Sequence, residues 1–313
     1  MPRKRISVVS INQNINYLAL YEDYIKEKSC TSAKATIKGL KYKVLPFVNW
    51  LNANQYSNLS QSIVNEYILY LNNTHENKVT VNSLLRNVRT FCNWLYEHDY
   101  APKVKIPIKK SYEVTKEVYT QEELKILLKK PTNTTKFNEL RNWAIINFFI
   151  GTGCRINSLV NVKINDVNFV NNTITLRVTK NKKQQVIPLC STLKNVLRQY
   201  LRTWTNTPTD YLFPNQYGEQ LANVQVTHAI NKYNKSRGIS KTSCHLFRHT
   251  FSHNYLLQGG DIFRLQQILG HSTLDMVKIY ANMNNIESLK QDYNKLNLLD
   301  TTSISKTRIN LID

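Results

Sequence analysis

Apolar side chains recur at helical spacing through the first hundred residues, with polar side chains between them. Each stretch of this kind predicts an amphipathic helix that buries one face. Four such stretches follow one another: Tyr17–Ile25, Ile37–Leu51, Ile63–Leu71 and Val81–Leu95. Ser60 is the expected N-cap of the third helix, with Asn58 as a competing cap. Four helices of this length predict a small helical bundle.

The helical period is lost between Ala101 and Lys116, where two prolines and several lysines replace it. Proline lacks the backbone N–H that a helix or a central strand needs, so an extended basic segment is expected. A linker between two domains and an ordinary surface loop both fit this pattern. We interpret residues 101–117 as a linker.

A second region follows, in which both helical and strand patterns occur. Thr120 and Glu123 have the spacing of a capping box, which predicts a helix start. Two short β-branched stretches, Thr173–Val178 and Gln185–Leu189, flank a polar turn and predict a hairpin. Further helices are expected at Asn138–Ile150, Leu193–Tyr200, Val224–Tyr233, His245–Leu257, Ile262–Leu269 and Leu274–Tyr280. The predicted fold class is mainly α with a small antiparallel β-sheet (α+β).

The charge balance narrows the choice of partner. Lysine and arginine number 42 against 21 acidic residues, which gives a formal net charge of +21. Such an excess favours nucleic acid, although ribosomal and membrane-surface proteins are also basic. The five cysteines are scattered without a C-x-x-C pair, so neither a zinc site nor a disulfide framework is expected. No secretory leader or membrane span is expected, which predicts a cytoplasmic protein.

Three segments of the second region carry reactive side chains. They are Gly151-Thr152-Gly153-Cys154-Arg155, the stretch His245–Phe251, and Leu269–Thr273 with Tyr280 nine residues beyond His271. Lys180 at the predicted hairpin turn adds one more. The candidate catalytic residues are therefore Arg155, Lys180, His245, Arg248, His271 and Tyr280.

These residue types suit phosphoryl transfer. His245 and Arg248 are three apart and share one helix face. Two arginines can hold the non-bridging oxygens of a phosphodiester and neutralise its transition state. A tyrosine hydroxyl beside them is a suitable nucleophile, but its pKa of about 10 requires a base or a cationic pocket. His245 is the candidate base.

The remaining two residues have complementary candidate roles. Lys180 can protonate the departing 5′ oxygen, and His271 can hydrogen-bond a phosphate oxygen. Taken singly, each residue has an ordinary structural or surface interpretation, and Tyr280 is one of 18 tyrosines. Their joint occurrence, in this order and spacing, favours the catalytic interpretation. No carboxylate cluster with metal-ligand spacing accompanies them, so no metal and no other cofactor is expected.

The combination resembles the tyrosine recombinase, or phage integrase, family. The resemblance rests on T-G-C-R around Arg155, H-x-x-R-H-T-F from His245, L-G-H-S from Leu269, and Tyr280. It covers residues 119–284 strongly, whereas the N-terminal helices resemble the core-binding domain of the family only in pattern and position.

The resemblance implies specific roles. Arg155 and Arg248 would be phosphate clamps, Tyr280 the nucleophile that forms a 3′-phosphotyrosyl link, and His245 an acid/base. His271 would donate a hydrogen bond in the transition state, and Lys180 would be the general acid. Lys182 is the second choice for that lysine.

Two positions depart from the family pattern. Ser158 stands where an acidic residue is usual, so support for Arg155 is expected to be rearranged, with Asp166 as one candidate. Phe247 stands where leucine is commoner, which suggests a change in packing.

The resemblance also implies a domain organisation. The expected parts are a basic tail (1–11), a helical core-binding domain (12–100), the linker (101–117), a catalytic domain (118–284) and a C-terminal tail (285–313). The two domains would clamp double-stranded DNA at a recombination site, without an additional arm-binding domain. A chain that is monomeric or weakly associated when free would form a homotetramer on two synapsed sites. Residues 286–299 would dock into a neighbouring subunit or fold back on their own domain.

The expected function is metal- and ATP-independent site-specific recombination that integrates or excises a mobile element at the nucleoid. An accessory DNA-bending or excisionase protein is a possible partner. The alternatives are an Xer-like resolvase of chromosome or plasmid dimers, a non-catalytic DNA-binding regulator of the same fold, and a topoisomerase-like relaxing enzyme.

Overall fold

The structure is a computed structural model that describes residues 15–109, 117–132, 136–177, 184–203, 209–271 and 273–274. The chain divides into two compact units, Met1–Val114 and Thr115–Asp313. Several sequence predictions lie outside the described residues. They concern the tail 1–11, Lys180, Lys182, Tyr280 with most of its predicted helix, and the segment 286–299.

The four helices predicted in the first unit are confirmed. They are α1 (Tyr17–Thr31), α2 (Lys34–Ala53), α3 (Gln61–Thr74) and α4 (Lys78–Glu97). The Ser60 hydroxyl accepts a hydrogen bond from the Ile63 N–H at 3.4 Å. Ser60 rather than Asn58 therefore caps α3. Each helix extends beyond its apolar pattern because that pattern marks only the buried residues.

Aromatic side chains fill the centre of this bundle. Phe91 is fully buried, and its ring centroid lies 5.2 Å from that of Tyr24 and 6.2 Å from that of Trp94. Phe47 lies 4.7 Å from Tyr67 by the same measure. Rings at these separations fill volume and interact through their edges. They hold the helices of the first unit together.

The first half of the predicted linker packs on this bundle. Val104 and Ile106 are buried in its core. The Gln61 amide accepts from the Lys105 N–H at 2.7 Å and donates to the Lys105 carbonyl at 3.0 Å. Arg89 donates to the carbonyl of Ile106. Alternating apolar residues therefore attach residues 101–109 to the first unit, which the loss of helical period did not reveal.

Among the described residues, the second unit is mainly helical. Its helices are α5 (Gln121–Leu128), α6 (Phe137–Thr152), α7 (Ile156–Leu159), α8 (Ser191–Arg202), α9 (Asn223–Lys235), α10 (Cys244–Leu257) and α11 (Ile262–Leu269). The capping box is confirmed, with Thr120 and Glu123 each bonding the backbone N–H of the other. The short α7 was not predicted, since one turn is too brief to show a helical period.

A small antiparallel sheet lies beside these helices. Its strands are β1 (Val167–Asn168), β2 (Thr173–Leu176) and β3 (Gln185–Pro188), in the order β1-β2-β3. Ile174 pairs with Val167 on one side and Ile187 on the other. The predicted hairpin is thus confirmed with shorter strands. The two-residue strand β1 was missed because it is too short to show alternation.

Helix α6 forms the centre of the second unit. Ile145, Phe148 and Phe149 are fully buried, and the helix packs against α8 and α10. The ring of Phe149 stacks on that of Phe247 from α10, with centroids 5.9 Å apart. A helix enclosed in this way gives its C-terminal end a fixed position.

Within the described part of the chain, no helix has both the length and the apolar character needed to cross a membrane.

We expect Phe91→Ala to lower the free energy of unfolding of the first unit by about 3–5 kcal/mol, because it opens a cavity at the centre of the bundle. Urea denaturation of the two forms measures the difference. The control is Leu69→Ala, since Leu69 is 62% exposed, and its expected cost is below about 1 kcal/mol. Equal losses from both substitutions would contradict this description of the core.

Candidate active site

A left-handed glycine ends α6 and places Arg155. Gly153 has a φ of 60°, and its N–H donates to the Phe149 carbonyl at 2.8 Å. The sequence predicts a helix over Asn138–Ile150 that stops at Gly151-Thr152-Gly153. The helix extends to Thr152, whose hydroxyl donates to the Phe148 carbonyl at 2.6 Å. The chain then reverses, and Arg155 becomes the N-cap residue of α7.

Helix α10 presents Arg248 to this turn. Arg248 is buried, and its Nη1 donates to the Gly153 carbonyl at 2.8 Å. Its Nη2 donates to the Leu269 carbonyl, also at 2.8 Å. A buried guanidinium needs such acceptors because leaving its N–H groups without hydrogen bonds would cost several kcal/mol. The backbone of two other segments therefore fixes the orientation of Arg248.

The C-terminal end of α11 brings the remaining described residues together. Gly270 has a φ of 61° and ends the helix. The Leu269 carbonyl accepts from Arg155 Nη1 at 3.4 Å as well as from Arg248, and His271 Nε2 lies 2.5 Å from Arg248 Nη2. Three predicted site residues, Arg155, Arg248 and His271, thus meet at one helix end.

The contact between Arg248 and His271 has a definite polarity. A guanidinium only donates hydrogen bonds, so Nε2 of His271 must accept. The ring proton of a neutral His271 is then on Nδ1. In this arrangement, Nδ1 is buried.

His245 occupies the first turn of α10 and is exposed. Its ring centroid lies 5.9 Å from that of His249, with the rings nearly perpendicular. The first turn of a helix carries partial positive charge and free N–H groups, which attract anions. His245 is therefore on the same helix as Arg248, at a position open to a substrate.

The Cys154 thiol lies directly beside the arginines but is not a competing nucleophile. Burial raises the pKa of Cys154 to about 11, and only partial compensation comes from the Thr152 hydrogen bond and the Arg248 charge. A thiol with this pKa is un-ionised near neutral pH and hence weakly reactive.

Burial also sets several tyrosines aside as nucleophiles. Desolvation raises the pKa of Tyr17, Tyr24 and Tyr233 to about 12 in each case. Tyr67 and Tyr119 are buried too, and desolvation again raises the pKa of each. These phenols belong to hydrophobic cores, which leaves the choice of Tyr280 unchallenged by them.

The two positions that depart from the family pattern both lie in packed surroundings. Ser158 is buried in α7. The two oxygens of Asp166 accept from Arg177 Nε at 2.5 Å and from the Lys163 N–H at 2.9 Å, so this carboxylate supports the end of the sheet. The ring of Phe247 stacks on that of Tyr119 with centroids 4.6 Å apart. The phenylalanine thus fills the core at the position where leucine is commoner.

Two predicted site residues lie outside the described residues. The strand order places Lys180 and Lys182 in the connection between β2 and β3, and Tyr280 follows His271 by nine residues. The sequence analysis did not single out Gln185, whose amide contacts the end of α11. No sequence motif marks this glutamine. Among the described residues, no group of three His, Cys, Asp or Glu could hold a metal ion.

Comparison with known proteins finds related sequences. Residues 117–287 match the sequence model of the phage integrase family. The chain is 27% identical over 287 residues to tyrosine recombinase XerC of Anoxybacillus flavithermus, covering 87% of this chain and 94% of that protein. It is 25% identical over 300 residues to tyrosine recombinase XerC of Oceanobacillus iheyensis, covering 91% and 97%.

Solved structures of recombinases share the fold. The Tn1549 transposon integrase in complex with a circular intermediate DNA matches with a TM-score of 0.70 at 19% identity, over 89% of this chain and 98% of that one. The XerH recombinase bound to a palindromic difH substrate matches with a TM-score of 0.68 at 19% identity, over 87% of this chain and 83% of that one. A lambda integrase tetramer bound to a Holliday junction matches with a TM-score of 0.69 at 13% identity, over 86% of this chain and 78% of that one.

We expect Gly153→Ala to destabilise the second unit by about 2–4 kcal/mol, since it adds a clash to the strain of positive φ. A Cβ at this position would lie 2.4 Å from Cδ1 of Phe251. Gly238→Ala is the matched control, because Gly238 has a φ of 76° with open space around it. It should cost only about 1–2 kcal/mol. Urea denaturation measures both, and equal costs would show that the close approach to Phe251 has no effect.

Proposed function

The chain belongs to the phage integrase family, and we propose that it is a tyrosine-type site-specific DNA recombinase. It would cut and rejoin double-stranded DNA through a covalent 3′-phosphotyrosyl intermediate. The observation that carries this proposal is the convergence of Arg155, Arg248 and His271 on the carbonyl end of α11. Near-full-length similarity to proteins named tyrosine recombinase supports it.

The two arginines supply the phosphate clamp. A scissile phosphodiester carries one negative charge, and the pentacoordinate transition state carries more on its non-bridging oxygens. Arg155 and Arg248 are already oriented by backbone acceptors, so they stabilise that charge with little rearrangement. His271 lies against Arg248 and would bind a further phosphate oxygen.

The covalent step exchanges one P–O bond for another. The phenolic oxygen of Tyr280 attacks the phosphorus, and the bond from phosphorus to the 5′ oxygen breaks. His245 takes the phenolic proton, and Lys180 gives a proton to the departing 5′ oxygen. Rejoining is the reverse reaction with the 5′ hydroxyl of a partner strand. No ATP is needed because the phosphotyrosyl ester retains the energy of the phosphodiester.

A metal-independent reaction is part of the proposal. Cationic side chains occupy the place where metal enzymes use carboxylate-bound ions to stabilise phosphoryl charge. Arg155 and Arg248 perform that task without a change of protonation, since arginine stays charged at all relevant pH values.

Assembly on DNA is proposed to follow the solved relatives. The lambda integrase structure is a tetramer bound to a Holliday junction. We propose that four copies of this chain act on two recombination sites, with residues 286–299 docking into a neighbouring subunit. A net charge of +21 supports DNA binding by the free chain. An accessory DNA-bending or excisionase protein would set the direction of the reaction. We propose that the recombinase acts at the nucleoid in the cytoplasm.

The biological task is proposed to be integration or excision of a mobile element, and similarity to the transposon integrase fold is compatible with it. A second task, resolution of chromosome or plasmid dimers, is favoured by the relatives named XerC, which match over most of their length. Sequencing the DNA cross-linked to the chain in cells separates the two. Sites at the ends of one element support the first task, and one chromosomal site apart from any element supports the second.

We expect the wild-type chain to form a covalent adduct, in excess EDTA, with a nicked suicide substrate that carries the recombination site recovered by this sequencing. Tyr280→Phe should abolish the adduct, because it removes the attacking oxygen. Denaturing gel electrophoresis of labelled DNA measures the adduct. The control Tyr217→Phe alters a tyrosine that is 74% exposed and should form the adduct at the wild-type rate.

Other outcomes of this experiment select the alternatives. A wild-type chain that binds the site without an adduct would be a non-catalytic DNA-binding regulator. Relaxation of supercoiled plasmid lacking the site would favour a topoisomerase-like enzyme. An adduct that EDTA abolishes would contradict the metal-independent mechanism.

We expect Arg248→Ala to slow adduct formation at saturating protein by roughly a hundredfold or more, because its contact to phosphate strengthens in the transition state. Its DNA dissociation constant should rise far less. Single-turnover cleavage and gel-shift titration measure the two effects. Arg202→Ala removes an exposed arginine in the last turn of α8 and should leave the cleavage rate close to wild type. Equal losses of cleavage and binding in Arg248→Ala would mean that its role has been misassigned.

A further inference from the structure

Gln185 joins the sheet to the end of the helix that precedes His271. It is the first residue of β3 and is half-buried. Its Nε2 donates to the carbonyl of Gln267 at 2.5 Å and to that of Ile268 at 2.7 Å. An amide nitrogen has two hydrogens, and here each has its own acceptor. The contact therefore satisfies the donor capacity of this side chain.

The acceptors are carbonyls at the C-terminal end of α11, and that of Gln267 also accepts from the Gly270 N–H at 3.1 Å. The last four carbonyls of a helix have no partner within the helix, and they carry its partial negative charge. In α11 the Gln185 amide takes two of them, and Arg155 and Arg248 share the next, that of Leu269. Side chains from distant parts of the sequence thus cap one helix end in succession.

Gly270 makes room for this contact. A Cβ on Gly270 would lie 2.8 Å from Oε1 of Gln185, in addition to the strain at its φ of 61°. The glutamine amide therefore lies directly against the turn that leads from Leu269 to His271. The amide thus contacts both the last turn of α11 and the glycine that precedes His271.

We propose that Gln185 is a positioning residue of the recombination reaction, which holds the end of α11 so that Leu269 and His271 meet Arg248. This inference rests on the proposed function. The step it assists is attack on the clamped phosphate, because that step needs both arginines and His271 in their places. Gln185 itself would touch neither the substrate nor the reacting atoms.

Donation of hydrogen bonds, rather than side-chain shape, is the property that this role requires. Gln185→Met and Gln185→Glu keep nearly the same shape but remove the donor. The glutamate also places negative charge at the negative end of a helix, which is unfavourable. Gln185→Arg has a different shape but again offers N–H donors to both carbonyls.

The experiment measures adduct formation on the suicide substrate at saturating protein, together with DNA affinity. We expect Gln185→Met, which loses both hydrogen bonds, to cleave roughly tenfold more slowly than wild type. Gln185→Glu should be slower still, and Gln185→Arg should lie within about threefold of wild type on the same scale. DNA dissociation constants should stay within about twofold, since no DNA contact is removed.

The neighbouring Gln184 provides a matched control. Gln184 is exposed, and Gln184→Met should cleave at the wild-type rate. Thermal melting of every variant shows whether it is folded, and the rates are compared below the lowest melting temperature.

Particular results would overturn the proposal. Wild-type rates for Gln185→Met and Gln185→Glu would show that the amide does not position the site. An arginine variant as slow as the methionine variant would show a packing role. Absence of an adduct from the wild-type chain would be a failure of the proposed function instead. In that case the imidazole NMR signals of His271 still test the positioning, since unchanged signals in Gln185→Met would refute it.

Discussion

The backbone carbonyl of Leu269 is the acceptor around which the candidate site is organised. It receives hydrogen bonds from Arg248 at 2.8 Å and from Arg155 at 3.4 Å, across sequence separations of 21 and 114 residues. A carbonyl at the C-terminal end of a helix carries partial negative charge and is well suited to hold a cation. Because Arg248 is buried, its N–H groups must find acceptors, and this requirement joins α6, α10 and α11 in one arrangement. Under the proposed function, the arginines are thus oriented before a phosphate arrives, and preorganisation of this kind is a main source of electrostatic catalysis.

Two left-handed glycines make that arrangement possible. Gly153 and Gly270 have φ angles of 60° and 61°, and each ends a helix beside Arg248. The carbonyl of Gly153 accepts from one guanidinium nitrogen, and that of Leu269, just before Gly270, accepts from the other. Residues with a Cβ rarely adopt this conformation, and at both positions a Cβ would also meet a neighbouring side chain closely. The glycines of T-G-C-R and L-G-H-S therefore have a structural function that is separate from the reactive residues beside them.

Sequence periodicity predicted the parts of the fold that are long and one-sided. The four helices of the first unit and the bounds of α11 follow from it, whereas the capping box at Thr120 follows from the spacing of Thr120 and Glu123. Periodicity could not find β1 or α7, since two and four residues are too few to repeat. Motif spacing predicted Arg155, Arg248 and His271 as site residues, and the structure brings all three together. Motif spacing could not identify Gln185. Its amide contacts backbone carbonyls, which every residue type has, so the contact leaves no pattern in the sequence.

The chemical nature of the acceptors explains how the site can be both ordered and reactive. Arg248 binds two carbonyls and one imidazole nitrogen at 2.5–2.8 Å. A carboxylate in the same positions would orient the guanidinium but would also cancel its charge. Carbonyl dipoles orient the guanidinium but carry no formal charge that would offset its own. These acceptors therefore orient the buried arginine without placing a formal negative charge of their own beside it.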